Sequence, residues 1–304
     1  MALGRRERAT VAMSSLIPDM DLLNFMVALP SFIAHHRRLP INPERDSASI
    51  DDLFFYRKLS NRSYICKTLA DKHSGKLLAR GILPGLSISH TYDVFSMENM
   101  DFSSFCRRLE PYFDKPLVAK PAHSSGGVLF LDTRPTHNLL RSTYEIAVRD
   151  YFFFSREAVY KNLTKRIIVE ESLKREGVIP DDFKFFCANG EVLLCQVDRG
   201  RFTRHTRDLY ECATWRWLPV SYRYPRSEEP IERPDKLEEM VQIAATLSRG
   251  FEFMRVDLYV VDNAIYFGEA TFHPESAQGR FSDDTFGRDL LRRIREAALA
   301  ARRI

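Results

Sequence analysis

Apolar residues at helical spacing open the chain. Leu22-Leu23-Asn24-Phe25-Met26 and Phe54-Phe55-Tyr56 read as apolar patches on helices, separated by a polar 40–52 stretch. Residues 71–81 read as an amphipathic helix stopped by Gly81 ahead of Pro84-Gly85. The first hundred residues are therefore expected to be helices and loops, a packing or lid region. From Pro116 the texture changes. Leu117-Val118-Ala119-Lys120 is a short buried-strand pattern, broken by Pro121 and His123-Ser124-Ser125-Gly126-Gly127, and 128–131 resumes as strand. Residues 141–160 read as one aromatic-rich helix, and 166–171 as a buried strand ending on two acids.

Two hairpins follow. Apolar runs at 183–188 and 191–197 flank Asn189-Gly190, a pair that tolerates the positive φ of a type I′ turn. Residues 222–234, rich in proline and charge, read as an excursion loop. Asp235 with Glu238 resembles a capping box; Leu237, Met240, Val241, Ala244 and Leu247 line one helical face, and Gly250 stops it. Runs at 254–260 and 264–271 form the second hairpin, and an Arg-rich amphipathic helix carrying Leu290, Leu291 and Ile294 closes the chain. Strands arriving mostly as hairpins among helices predict an α+β fold with antiparallel sheets, not a doubly wound parallel core.

Composition narrows the function classes. A chain of 304 residues with 44% hydrophobic and 28% charged residues suits an ordinary globular protein of roughly two domains. A net charge of +4 is too slight to argue for nucleic acid as a partner. The longest apolar stretch, 22–34, contains Asn24 and Pro30 and is too short to span a bilayer. Arg5, Arg6 and Arg8 precede an apolar piece broken by serines and Pro18, which is not the core of a signal peptide. Five cysteines, odd in number and without a CxxC, point to a reduced cytoplasmic compartment with neither a disulfide framework nor a zinc knuckle.

Three places carry candidate chemistry. Lys120 ahead of the Ser124-Ser125-Gly126-Gly127 loop has the make-up of a phosphate site, with backbone N–H groups and a point charge converging on oxygens; a plain glycine turn is the alternative. It is not a Walker A loop, and His73-Ser74-Gly75-Lys76 is not one either. On the second hairpin, alternation puts Arg255, Asp257 and Tyr259 on one face, and Glu269 with Thr271 on one face of the returning strand. Carboxylates in mid-strand are costly without a cation, and Mg²⁺ with substrate phosphates is the natural one; solvent-facing acids on an edge hairpin are the alternative. Within 198–207, Arg199, Arg201 and Arg207 with His205 form an anion clamp or a solvated basic loop. His35-His36 reads as helix surface.

Taken in order, these segments resemble the TupA-like ATP-grasp ligases. The carrying residues are Asp71-Lys72, 117–127, 166–173, 182–186, 198–207, Arg255-Val256-Asp257-Leu258-Tyr259 and Gly268-Glu269-Ala270-Thr271-Phe272, spread from about residue 50 to the carboxyl end. The resemblance implies an ATP-grasp fold: an amino-terminal helical region (1–105), a small subdomain with the phosphate loop (106–170) and a large one with the metal site (171–304). ATP would lie between the subdomains. Lys120 would meet its α- and β-phosphates, Ser124 to Gly127 would close over them, and Glu170, Glu171 and Leu173 would form the hinge beside adenine. Asp257 and Glu269 would hold Mg²⁺, with Thr271 standing where related ligases carry Asn. Arg255 would steady the transferred phosphoryl group, and Asp182, Lys184 and His205 are further catalytic candidates. Glu275 after Pro274 departs from the Pro-Gly of the family.

The reading this supports is an ADP-forming carboxylate–amine ligase working through an acyl phosphate, joining an amine or amino acid to a carboxylate such as a uronic acid. A kinase using the same site and a non-catalytic nucleotide-binding protein are the alternatives. Strand parity adds a geometric condition. A plain two-residue turn at Asp262-Asn263 would put Asp257 and Glu269 on opposite faces. An odd loop, or a bulge restoring its parity, is needed for Arg255, Asp257 and Glu269 to face one cleft with Lys120.

Overall fold

The computed structural model describes residues 17–200 and 203–301. Arg5, Arg6, Arg8 and Arg201 lie outside them. Helices α1 (Asp21–His36), α2 (Ile50–Ser60), α3 (Tyr64–Ala70) and α4 (Lys72–Ile82) come first. Asp71 caps α4, accepting from the His73 and Ser74 amides. A four-stranded antiparallel sheet follows, built in the order β1 (Thr91–Ser96), β4 (Arg166–Glu171), β2 (Leu117–Pro121), β3 (Leu129–Phe130). Its apolar face closes on α5 (Phe102–Leu109) and α6 (His137–Ala147), with Phe105, Leu109 and Ile167 fully buried.

Two expectations are corrected here. The helical amino-terminal region contains the strand β1, and β1 with α5 packs into the four-stranded unit, so a boundary at 105/106 would cut α5. The long aromatic helix is broken: α6 ends at Ala147, and Asp150 caps the short α7 (Tyr151–Ser155) through the Phe152 amide. The break frees Tyr151 and Glu157 to face a cavity described below.

The second sheet runs β10 (Ala264–Thr271), β9 (Met254–Val261), β5 (Asp182–Ala188), β6 (Glu191–Arg199), β7 (Thr206–Glu211), β8 (Arg216–Trp217), all antiparallel. One face packs on α3, α4 and α8 (Leu237–Leu247) through Phe185, Val256, Met240 and Ala244. The opposite face packs on α1, α2 and α9 (Asp284–Ala301) through Phe186, Leu209, Phe54 and Leu291. With both faces covered, β5 is buried along its whole length. Helix α8 starts without the expected box: Lys236 is its N-cap and no side chain caps it. His36 is also not surface; it is 4% exposed and stacks on Phe32.

Parity on the second hairpin is restored by a bulge. Asp262 and Asn263 take positive φ (51° and 62°), giving the two-residue turn that pairs Val261 with Ala264. The register then slips between Phe267 and Glu269, so Glu269 opposes Asp257 and Thr271 opposes Arg255. Gly268 is the bulged residue, and a Cβ there would lie 2.6 Å from the Tyr259 ring and 3.1 Å from Asp257 O. Gly268→Ala is expected to destabilise the fold by about 1–3 kcal/mol, the scale of overpacking a filled position. Chemical unfolding monitors that, and unchanged stability would show that the bulge tolerates a side chain.

Candidate active site

The site is a polar patch on an otherwise apolar sheet face. Even-numbered positions of β5 put Asp182, Lys184, Phe186 and Ala188 on one side. Register aligns Lys184 with Asp257 and with Gln196, Glu269 with Asp257, and Asp198 with both Asp182 and Arg207. Directly opposed residues share a face, so strands β10, β9, β5, β6 and β7 each contribute to one row of charges. The row abuts the Phe186 and Leu209 end of the core.

Its centre is a buried ion network. Arg255 grips Asp257 with two bonds (Nε to Oδ1 and Nη2 to Oδ2, both 2.7 Å), and Lys184 Nζ donates to Asp257 Oδ2 (2.6 Å) and Asp182 Oδ2 (2.5 Å). Arg255 also donates to Thr271 Oγ1 (3.0 Å) and stands 3.5 Å from Glu269. Burial works against the Arg255 charge, yet Asp257 and Glu269 raise its pKa further.

A second network lies on the four-stranded sheet. Glu170 bonds Lys120 (2.6 Å) and Lys76 (2.5 Å), so the expected hinge acid is clamped by the expected phosphate lysine. Lys72 ties the first network to the Ser124 loop: its Nζ donates to Ser124 O (2.5 Å) and lies 3.6 Å from Glu269. Burial lowers the Lys72 pKa, while Glu269 opposes that. Gly126 and Gly127 take φ of 82° and 70°, the freedom the Ser124-to-Gly127 loop requires. The Glu171 amide donates to His90 O (2.8 Å), and Leu173 is half-buried two residues on.

A cavity of about 610 Å³ opens over the charge row, and lysines and arginines outnumber carboxylates along its walls. It is lined by Lys72, Ser125, Lys184, Arg255, Glu269 and Thr271 together with His205 and Arg207. Lys120 and Asp257 are not among the residues lining it. A larger groove of about 720 Å³ beside His273 holds none of the row. Arg207 is buried against Asp198 and Glu275 (2.7 Å), and the His205 ring lies tilted against Tyr224 with ring centres 3.9 Å apart. Arg199 turns instead to Asp208 and the Glu229 carbonyl, and Arg204 is exposed. The expected basic loop is thus only partly a clamp, since Arg207 belongs to strand β7.

Magnesium, implied by the fold family, fits the donors only in part. Among the described residues no group of three or more His, Cys, Asp or Glu side chains is arranged to hold a metal. Both Asp257 oxygens already accept from Lys184 and Arg255, so a metal ligated there would have to displace one of those cations. Glu269, 35% exposed and facing the cavity beside Thr271, is suited to a magnesium ion that brings its other oxygens from phosphates and water.

Sequence reasoning missed Lys76, Lys58, Glu157 and Arg223. Their partners are 94 residues away in the case of Lys76 and 218 for Lys58, so nothing local marks them. Acid should undo part of this. Burial raises the Glu170 pKa, but Lys120 and Lys76 outweigh it and leave it lowered. Burial raises that of Asp198 too, and His205 and Arg207 hold it far below the usual range. Depressed carboxyls stabilise the fold above their unfolded pKa, near about 4, and that contribution is lost as pH falls through the folded value. The urea midpoint is therefore expected to fall steeply below about pH 4 in the native protein, and less so in Glu170→Gln.

The four-stranded sheet carries the Lys120–Glu170 network and the six-stranded sheet the Lys184–Asp257 network. Residues 108–294 match the family described as TupA-like ATPgrasp, and the chain belongs to that family. Similar solved structures include a D-alanine–D-alanine ligase from Helicobacter pylori, at 17% identity over 73% of this chain and 60% of that one (TM-score 0.40). Another is the Bacillus anthracis D-alanine–D-alanine ligase complexed with ATP, at 19% identity over 78% and 66% (TM-score 0.39). The ligase PsnB with its minimal precursor matches at 13% over 79% and 62% (TM-score 0.40). The chain thus spans less than two thirds of the length of each of these three. No curated protein matches it. No helix among the described residues is long and apolar enough to cross a membrane.

Proposed function

We propose that the protein is an ATP-dependent carboxylate–amine ligase that releases ADP and phosphate. The observation that carries this is the cationic cavity over the Glu269–Asp257–Lys184 row, linked through Lys72 to the Ser124 loop. A carboxylate oxygen attacks the γ-phosphorus and the bond to ADP breaks. The amine nitrogen then attacks the acyl carbon, and phosphate leaves with the bonding pair. Lys120 and the Ser124-to-Gly127 loop bind the α- and β-phosphates, and the Glu170-to-Leu173 segment borders adenine. Magnesium, when bound, neutralises phosphate charge, and Glu269 is the residue to hold it.

Arg255 is fixed by Asp257 so that its guanidinium meets developing charge at the cavity wall without reorganising, which is where such stabilisation is largest. Arg207 and His205 border the carboxylate and amine end, and Asp182 acts through Lys184. A uronic acid is one candidate carboxylate and an amino acid one candidate amine. Five free cysteines suit a reduced, cytoplasmic setting. ADP release should require Mg²⁺, a carboxylate and an amine together. Equal release with the amine omitted and a stable phosphorylated product would favour a kinase.

A further inference from the structure

One wall of the cavity is a backbone turn in an unfavourable conformation. Glu275, Ser276 and Ala277 stand consecutively in the left-handed region, with φ of 53°, 54° and 61°. Residues with a Cβ visit that region singly, and a run of them persists only where the surroundings over-determine it. The restraints come from the amino-terminal helices. Lys58 Nζ on α2 donates to Ser276 O (2.9 Å), and His36 Nε2 on α1 donates to the next carbonyl, Ala277 O (3.0 Å). On its cavity side the turn delivers the Glu275 carboxylate to Arg207 (2.7 Å) and Arg223 (3.2 Å). Arg223 in turn donates to Gln278 O (3.3 Å).

Stability alone does not account for Lys58. The residue is 3% exposed, and the oxygens it bonds belong to a carbonyl and a hydroxyl, not to a carboxylate. A buried ammonium so placed is costly. Yet its side chain lines the cavity with Ala28 and Ser31 of α1, and with Glu275 and Ser276. Both helices precede the stretch, 108–294, that the family match covers. The site is therefore walled by a part of the chain that the family pattern does not describe.

We propose that α1 and α2 act as a brace for the acceptor end of the site. Lys58 and His36 are positioning residues that hold the 275–277 turn, and the turn fixes Arg207 and Arg223 where the carboxylate substrate enters. The brace sets the fit of that substrate and leaves the nucleotide end, at Lys120 and the Ser124 loop, untouched. This assignment of substrate fit rests on the ligase reading; the bracing of the turn does not.

The test combines amide hydrogen exchange with steady-state ADP release in Lys58→Met, Lys58→Arg and His36→Phe. The last keeps the stack on Phe32 and removes the donor, so it is a second route if Lys58→Met folds poorly. Ser276 and Gln278 amides, bonded to His273 O and Glu275 O (2.9 Å each), report the turn. Lys58→Met and His36→Phe should speed their exchange and raise the carboxylate KM about tenfold, with the ATP KM within about twofold, the signature of lost positioning at one end. Lys58→Arg should recover part of both effects. Unchanged exchange overturns the brace. Faster exchange with an unchanged carboxylate KM, or with both KM values rising together, overturns its role in substrate fit. A wild-type protein with no carboxylate-dependent turnover defeats the ligase reading instead, and exchange then still decides the brace.

Discussion

Asp257→Asn is expected to lose both turnover and stability. The Asp257 carboxylate is fully buried and accepts from Arg255 twice and from Lys184 once. Removing its charge leaves two buried cations short of a partner, and breaking such a pair costs about 3–5 kcal/mol. Arg255 would also lose its orientation, so ADP release should fall by about a hundredfold or more, the scale of losing one preorganised electrostatic contact. The sequence reading makes Asp257 a metal ligand, with a solvent-facing acid as the alternative. Its burial removes that alternative. Adding Lys184→Met to Asp257→Asn should recover stability in urea without recovering activity. Near-wild-type ADP release from Asp257→Asn would remove the network from the mechanism.

Lys120→Ala should separate the two effects. Lys120 shares Glu170 with Lys76, so its removal leaves that carboxylate with its other partner, at 2.5 Å. Stability should therefore fall by less than in Asp257→Asn, by about 3 kcal/mol at most, because Lys76 still pairs the buried carboxylate. Turnover should fall by about a hundredfold, because the point charge toward the phosphates is gone. A large drop in the urea midpoint with turnover preserved would make Lys120 a structural residue.

What could be read in advance was whatever depends on near neighbours in the chain. Asn189-Gly190 makes the tight turn its residue types favour, whereas Asp262-Asn263 closes a two-residue turn and leaves parity to a bulge. Alternation groups Arg255 with Asp257, and parity requires either an odd loop or a bulge; the chain uses the bulge. Gly268 inside a strand was the available marker, since glycine there often signals a bulge. Capping was harder. Asp235 and Glu238 have the spacing of a box, but the helix begins at Leu237 with no side-chain cap. Asp150 does cap, and it splits what periodicity joins into one helix.

The rest depends on contacts far apart in sequence. Lys72 meets Ser124 and Glu269, Arg207 meets Glu275, and Lys58 meets Ser276. No spacing rule links such residues, because the sheet register and the docking of α1 and α2 bring them together. The same long-range packing took Asp257 out of solvent and paired it with lysine and arginine.

Trapping with hydroxylamine tests the ligase mechanism most directly. The protein is supplied with ATP, Mg²⁺ and a carboxylate, with hydroxylamine in place of the amine. An acyl phosphate formed in the cavity should be intercepted as a hydroxamate, in step with ADP and phosphate, and Lys120→Ala should lower all three together. ADP release with a stable phosphorylated product and no hydroxamate, over a panel of carboxylates, would contradict the ligase mechanism.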